Sequence, residues 1–331
     1  MKILLGSHHF FPSTGGIETA SNLLAREFVA LGHEVRVITQ TEGDGEFPFP
    51  VIRRPGGLEL LREVRWCTVF LQNNISLRTL WPLLFVRRPL CIVHQTWIAN
   101  SDGSVGWRQH LKRFIVRHAT SLAISRAVAK SLPGPSTQVG NPYDDEVFKN
   151  SAAGLRPRDL IFVGRLVSDK GADLLLDAMA MLETTPRLTI AGDGPERARL
   201  EKQALRLGLR SRVDFIGSQT SEQLAKVLGQ HQIMIVPSRW EEPFGIVALE
   251  GIACGCVVVG SAEGGLAEAI GPCGVTFPNG DAGALASILG RLLEDPAECD
   301  ALRQKAGSHL ERFTPRRVAE AYLEEMEKAR R

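Results

Sequence analysis

The chain has 331 residues, of which 44% are hydrophobic and 23% charged, with a formal net charge of +2. That balance is globular and excludes a disordered chain, a collagen-like repeat and a small disulfide scaffold. Two domains are expected at this length, and no apolar stretch reaches the roughly 18 uncharged residues of a spanning helix.

The opening residues, MKILLGSHHFFP, hold an apolar run too short for a signal peptide. They read as a buried strand, so a cytosolic protein is expected. The longest other apolar candidate, Leu80–Val93, is interrupted by Pro82, Arg87, Arg88 and Pro89. After the strand Lys2–Gly6 the pattern predicts a helix over Thr19–Leu31, stopped by Gly32, and a strand over Glu34–Thr39. Thr41–Arg65 reads as compact Gly- and Pro-rich connections. Further strands are expected at Leu90–His94 and Ser121–Ser125, with a basic helix, Trp107–His118, between them. Leu132–Asp159, with its prolines and small polar residues, reads as a linker. The alternation then restarts with DLIFVGRL, LTIAGDG, RVDFIG, IMIVPS and VVVGSA, each followed by a helical or loop segment. A charged amphipathic helix, Pro315–Arg331, closes the chain, with Val318, Ala321, Tyr322 and Met326 on one side. The expected class is α/β, built from two doubly wound halves. Their expected limits are 1–150 and 151–312, with 313–331 as a C-terminal helix that packs back on the first domain.

Cys67, Cys91, Cys254, Cys256, Cys273 and Cys299 show neither paired spacing nor a zinc pattern, and read as buried small residues. Residues 1–150 carry 17 Lys and Arg against 12 Asp and Glu, and the remainder 22 against 25. A basic first half is compatible with a phosphate-rich or anionic-membrane partner and equally with an ordinary surface.

Four constellations stand where chemistry is expected. Gly15-Gly16 follows a strand and precedes a helix, an arrangement that lets backbone amides meet a phosphate; a plain turn is the other reading. The dinucleotide fingerprint G-x-G-x-x-G is absent after that strand. Gly164-Arg165-Leu166 with Lys170-Gly171 follows strand Leu160–Val163. Ligands of open parallel sheets sit at that carboxyl end, where two cations can reach one diphosphate. Gly192-Asp193-Gly194-Pro195 makes a tight turn beside it. The most specific segment is Pro237–Glu250, PSRWEEPFGIVALE. Pro243 favours a helix start, with Gly255 as the stop. Glu242 then lies at the helix mouth and Glu250 two turns inside, where carboxylates can accept hydrogen bonds from sugar or ribose hydroxyls. The N–H groups at Phe244, Gly245 and Ile246 can meet an anion.

These motifs, followed by Gly264-Gly265-Leu266-Ala267-Glu268, resemble the retaining nucleotide-sugar glycosyltransferases of family 4. The matches run in order along nearly the whole chain, and the Glu-seven-Glu spacing in its Pro-Phe-Gly context is the most specific. The resemblance implies the GT-B fold, two Rossmann-like domains facing across a deep cleft that closes on substrate. It implies that Glu250 holds the donor ribose and that Glu242 meets hydroxyls of the transferred sugar. Arg165 and Lys170 would stabilise the departing diphosphate, and Gly16 would let its loop close over it. His94, just after strand LCIV, is similar to the family's histidine facing the donor sugar. Asn141, Asp144 and Phe148 resemble the hinge segment. Three segments depart from the family pattern: Arg126 where Glu is usual, Gly251 where Ala is usual, and NPYD in place of NGVD.

The function so implied is that of a hexosyltransferase. It would move a sugar from a UDP- or GDP-linked donor to a hydroxyl of a glycan, lipid-linked or small-molecule acceptor, with retention. Polysaccharide or glycoconjugate biosynthesis is the setting. No metal is expected, since no D-x-D carboxylate pair sits at a strand end and Asp144-Asp145 lies in the linker; no cofactor and no nucleic-acid partner are expected either. Base recognition is expected from backbone near Phe215–Gly217. Helix Trp107–His118 can be read as a peripheral contact at the inner face of a membrane or as an ordinary surface helix. A nucleotide-sugar epimerase and a non-catalytic sugar-binding protein are the alternatives. A nicotinamide dehydrogenase is disfavoured because both nucleotide fingerprints are missing.

Overall fold

The structure, a computed structural model, describes residues 1–13, 15–98, 106–150 and 156–331. Two compact units emerge, Met1–Tyr143 with Phe313–Arg331, and Asp144–Arg312. The expected limit after residue 150 adjoins residues 151–155, which lie outside the described residues. Residues 144–150 group with the second unit, where Asn150 Oδ1 accepts a hydrogen bond from Arg156 Nη2 at 3.0 Å.

The first unit runs β1 (Lys2–Ser7), α1 (Gly16–Ala30), β2 (Glu34–Thr39), β3 (Val51–Arg53), α2 (Gly57–Trp66), β4 (Val69–Asn73), α3 (Leu77–Leu80), β5 (Leu90–His94), α4 (Trp107–Val116), β6 (Thr120–Ala123), α5 (Arg126–Ser131) and β7 (Thr137–Gln138). Its sheet has the order β3-β2-β1-β4-β5-β6-β7, with every pair parallel. The order reverses between β1 and β4, as in a doubly wound sheet. Leu4, Ile38, Phe70 and Ile92 from the strands pack with Leu60 and Val64 of α2 and Val116 of α4.

Thr41–Arg65 is therefore more than connections: it holds β3 and most of α2. Leu60 and Val64 lie one turn apart and are buried together. Between them sits Glu63, also buried, because Arg36 Nη1 at 2.6 Å and Arg62 Nε at 3.1 Å neutralise it. The Gly56-Gly57 start obscured this helix in the pattern. Two ends also move. Strand β6 stops at Ala123, because Ser125 turns to accept the Val128 N–H as the cap of α5. Helix α1 begins at Gly16 rather than Thr19.

The second unit runs β8 (Arg158–Val163), α6 (Ala172–Ala180), β9 (Leu188–Ala191), α7 (Arg197–Arg206), β10 (Val213–Gly217), α8 (Ser221–Leu228), β11 (His231–Val236), α9 (Ile246–Ala253), β12 (Val257–Ser261), α10 (Leu266–Ile270), β13 (Gly274–Phe277), α11 (Ala282–Glu294), α12 (Pro296–Arg303) and α13 (Ala306–Leu310). Its parallel sheet has the order β10-β9-β8-β11-β12-β13, with the reversal between β8 and β11. Leu160, Phe162, Ile190, Ile233 and Val259 meet Leu175 of α6 and Leu289 of α11 in its core. All six cysteines are free and buried.

The last helix, α14 (Pro315–Arg330), belongs to the first unit and packs on α1. Pro315, Val318, Ala319, Tyr322, Leu323 and Met326 are its buried positions, and Ala321, expected among them, is half-buried instead. Thr314 Oγ1 accepts from the Arg317 N–H and Pro315 opens the helix, an ordinary start signal. Among the described residues no helix is long and apolar enough to cross a membrane.

Candidate active site

The strand reversal of the second unit places two loops side by side, one after β8 and one after β11. The loop after β8 carries Gly164, Arg165 and Leu166, and it is locked to the turn after β9. The Gly164 N–H donates to Ala191 O at 3.1 Å and the Leu166 N–H to Asp193 O at 2.9 Å. Gly192, at φ +148°, passes so close that a Cβ there would lie 1.9 Å from Gly164 O. Gly164 and Gly192 thus permit close packing of two strand ends, and Arg165 is left exposed on top. Asp193 is engaged locally: its Oδ1 accepts the Gly194 N–H at 2.8 Å and its Oδ2 lies 3.2 Å from Arg197 Nη1.

A short 3-10 turn, Ser168–Lys170, then runs into Gly171 in the left-handed region at φ +68°. A Cβ on Gly171 would lie 1.9 Å from Pro237 O, so this turn sits directly on the end of β11. The backbone fastens it there: the Arg239 and Trp240 N–H groups both donate to Asp169 O, at 2.8 and 3.3 Å. Arg239 Nη2 also meets Asp173 Oδ2 of α6 at 2.9 Å.

That clasp brings Lys170 to Glu242. The ammonium lies 2.5 Å from Glu242 Oε1, and the buried Ser238 hydroxyl donates to the same oxygen at 2.8 Å. Asn279 Nδ2 reaches Ser238 O at 3.3 Å from the loop beyond β13. The Glu242 main chain is fixed too: its carbonyl accepts the Gly265 N–H at 2.6 Å, and it bridges Gly264 in parallel. Gly264 stands at φ +80°, where a Cβ would lie 2.5 Å from Glu242 O. The Gly264-Gly265 pair is what lets this segment lie down on α10.

Helix α9 starts at Ile246, three residues after Pro243, because Gly245 takes φ +111° and forms the N-cap. Phe244 is buried, and no side chain caps the helix, so its first amides stand at a positive dipole end. Glu242 accordingly precedes the helix instead of sitting at its mouth. Glu250 lies inside α9 and is half-buried. Burial pushes its carboxyl up to about 7, and the Asp144 charge adds to the effect. Arg165, Lys170, Glu242, Glu250 and the Phe244–Ile246 backbone therefore all belong to this unit.

Gly15, Gly16 and His94 belong to the first unit. Gly15 has extended backbone at φ 170°, and Glu18 folds over it, its Oε2 lying 2.6 Å from where a Cβ would stand. His94 ends β5 as expected, but is only 1% exposed. Its Nε2 lies 3.4 Å from Ser121 Oγ, and burial lowers its pKa to about 4, so the ring is neutral near pH 7.

Ser238, Asp169 and Asn279 carry no expected role in the sequence, yet they position Glu242 and its loop. Ser238 was legible only as part of its segment. Asp169 acts through its carbonyl, and Asn279 comes from a loop far along the chain. Among the described residues no three imidazole, thiol or carboxylate side chains gather as a metal-binding set.

Residues 144–309 match the profile of the glycosyl transferases group 1, which spans half of the chain and nearly all of the second unit. The chain belongs to this family. It is 33% identical over 255 residues to D-inositol 3-phosphate glycosyltransferase of Rhodococcus jostii, covering 70% of this chain and 54% of that protein. It is 31% identical over 237 residues to glycogen synthase of Mycobacterium tuberculosis, covering 67% and 56%. The chain spans about half the length of the curated relatives it matches. Among solved structures, Anabaena HepE in complex with UDP superposes with a TM-score of 0.85 at 20% identity, over 99% of this chain and 100% of that one. That likeness extends beyond the matched segment and shows the GT-B fold, each unit being a doubly wound α/β sheet.

Proposed function

We propose that this protein is a retaining glycosyltransferase of family 4 type that moves a hexosyl group from a UDP- or GDP-linked donor to an acceptor hydroxyl. The observation that carries the reading is the Lys170–Glu242 pair, held by Ser238 where strand order reverses between β8 and β11. In open α/β sheets that is where ligands bind. A cation and a carboxylate there match the two parts of a nucleotide sugar, its diphosphate and its hydroxyls.

The difficult step breaks the bond between the anomeric carbon and phosphate oxygen, and negative charge grows on the departing diphosphate. Lys170, the exposed Arg165 and the uncapped amides at Ile246 are fixed positive groups for that charge. Such groups contribute up to about 4 kcal/mol each to the barrier. Glu250 accepts the ribose hydroxyls, and Glu242 accepts hydroxyls of the transferred sugar. Gly164, Gly192 and Asp193 shape the floor, and Gly245 opens α9 toward the donor. In this reading Gly15, Gly16 and the neutral His94 serve the same reaction from the first unit. The acceptor hydroxyl attacks the face the diphosphate leaves, through an oxocarbenium-like transition state, its proton passes to the departing phosphate oxygen, and configuration is retained. No metal and no further cofactor is assigned a part.

The UDP held by the Anabaena neighbour favours a uridine donor. The acceptor is a glycan, a lipid-linked sugar or a small molecule, and the reaction belongs to the cytoplasm. Helix α4 exposes Trp107 and Phe114, at 70% and 59%, near Arg113 and Arg117. That composition supports a peripheral contact with an anionic membrane face.

The test is release of nucleoside diphosphate from UDP-glucose or GDP-mannose in EDTA, with the donor re-isolated. A transferase releases UDP or GDP. An epimerase would return an isomerised donor, and a binding module would leave the donor intact; either result contradicts the proposal.

A further inference from the structure

Gln95, the residue after His94, is 4% exposed and fastened on two sides. Its N–H donates to Asn74 Oδ1 at 2.8 Å, so the Asn74 side chain carries the β4–β5 pairing one step past the strands. Asn74 stands at φ +54°, a left-handed conformation that asparagine tolerates, and Gln72 Nε2 donates to its carbonyl at 3.0 Å. The Gln95 side chain meets that of Asn141, 46 positions away and 3% exposed. Gln95 Nε2 donates to Asn141 Oδ1 at 3.0 Å, and Asn141 Nδ2 donates to Gln95 Oε1 at 2.6 Å. Each amide supplies the donor and the acceptor that the other needs, and removing either would leave buried polar atoms unpaired. The pairing also fixes both orientations, since turning one amide would set oxygen against oxygen and nitrogen against nitrogen.

Asn141 sits where the chain leaves the first unit, three residues before Asp144. Gly140, at φ +72°, lies against the Phe313 ring, which a Cβ would approach to 3.2 Å, and its carbonyl accepts the Tyr322 hydroxyl at 3.5 Å. Pro142 fixes its own φ and restricts Asn141 to extended backbone. The Tyr143 N–H donates to Phe313 O at 3.3 Å. Tyr143 and Phe313 flank the two points where the chain passes between units. Both crossings thus start from one hydrogen-bonded knot, and the Gln95–Asn141 pair fastens that knot to the loop beginning beside His94. Among the described residues, the one polar contact of the His94 ring is Ser121 Oγ at 3.4 Å, longer than an ordinary hydrogen bond. The ring therefore depends on its backbone and packing for its place.

We propose that Gln95 and Asn141 are positioning residues: their paired amides tie the backbone beside His94, and with it the imidazole, to the segment that crosses into the second unit. A catalytic consequence rests on the reading in which His94 serves sugar transfer. Neither amide is assigned a contact with the reacting atoms; both act through His94.

The test is an amide swap. Gln95→Asn shortens the bridge by about 1.5 Å and Asn141→Gln lengthens it by as much, whereas the double variant keeps the summed length and can restore the pair. With whichever of UDP-glucose and GDP-mannose the parent turns over, each single variant is expected to lower kcat by about 10–10²-fold, the scale of a misplacement near 1 Å. Affinity for the matching nucleotide is expected to stay within about two-fold, and the double variant to recover most of the lost turnover. The same proteins labelled with 13C at histidine Cε1 report on His94 without turnover, its signal identified by its loss in His94→Gln. That signal is expected to shift in each single variant and to return in the double. Where a change of length unfolds the chain, the isosteric Asn141→Asp sets a carboxylate oxygen against Gln95 Oε1 and is expected to shift the same signal. Single variants that melt lower but keep kcat, nucleotide affinity falling in step with kcat, or an unmoved His94 signal would overturn the proposal. A parent that turns over neither donor, with a His94 signal that moves and returns, removes the transfer reading and keeps the link between the amide pair and His94.

Discussion

Lys170 holds Glu242 through an ion pair of 2.5 Å, although the two residues stand 72 positions apart in the chain. The pair joins the turn after β8 to the loop after β11, so the strand reversal assembles it. It also means that the cation assigned to the diphosphate already has a carboxylate partner. On the proposed reading, a donor competes with Glu242 for Lys170 and so releases Glu242 toward sugar hydroxyls.

Glu242→Gln should separate those two roles. Removing the charge frees Lys170, so UDP affinity should hold or rise. Sugar transfer should fall by about 10²–10³-fold, the scale of losing one group matched to the transition state. UDP titration and turnover on the same preparation check this, and a variant that loses UDP affinity would contradict the competition.

Ser238→Ala should act more weakly and differently. The hydroxyl is buried and donates to Glu242 Oε1, so its loss costs stability on the order of 1 kcal/mol. If Ser238 positions Glu242, kcat should fall several-fold with UDP affinity unchanged, and Ser238→Thr should restore part of it. Equal loss of kcat and UDP affinity would point to a merely structural role.

Glu250 gives a pH dependence with a definite sign. Its carboxyl is raised to about 7 by burial, so the folded state holds its proton more tightly than the unfolded chain does. Its contribution to stability is therefore fully present below the ordinary carboxyl range and is lost as pH rises toward 7. Glu250→Gln should melt progressively higher than the parent between about pH 5 and pH 8. Ribose hydroxyls favour the ionised carboxylate, so UDP should bind more tightly as pH rises through this range, and Glu250→Gln should flatten that trend. Melting curves and UDP titrations across pH check both.

Two glycines at similar φ should respond differently. A Cβ on Gly171 would strike Pro237 O at 1.9 Å, whereas Gly208, at φ +73°, meets nothing within 4 Å. Gly208→Ala should cost only the left-handed conformation, about 1–2 kcal/mol. Gly171→Ala should cost distinctly more, lower the melting temperature by several degrees, and impair UDP binding, because the clasp that delivers Lys170 opens.

Much of this organisation was legible in the sequence where apolar runs were clean. Glu34–Thr39 and Leu90–His94 form strands with the expected limits, the first because Val35 and Val37 alternate with Glu34 and Arg36, the second because it is a short apolar run ended by a polar residue. Strand β4, Val69–Asn73, escaped notice because Gln72 and Asn73 look like a loop. They are buried by hydrogen bonds to carbonyls and to Ser21, which leave no trace in an apolar pattern. The Glu-seven-Glu segment announced Glu242 and Glu250, but not that Gly245 would delay the helix or that Ser238 would hold Glu242. Asp169 and Asn279 were invisible because one acts through its backbone and the other through a contact set by sheet order.

The most direct test of the central claim is a UDP and GDP titration in EDTA, followed by thermal unfolding, of the parent chain and Lys170→Ala. A nucleotide at 100 times its dissociation constant stabilises the folded state by about 2.7 kcal/mol. The account predicts a rise of several degrees for one of the two nucleotides in the parent, and its loss in Lys170→Ala at the same concentration. An identical rise in both proteins, or no rise with either nucleotide in the parent, would contradict it.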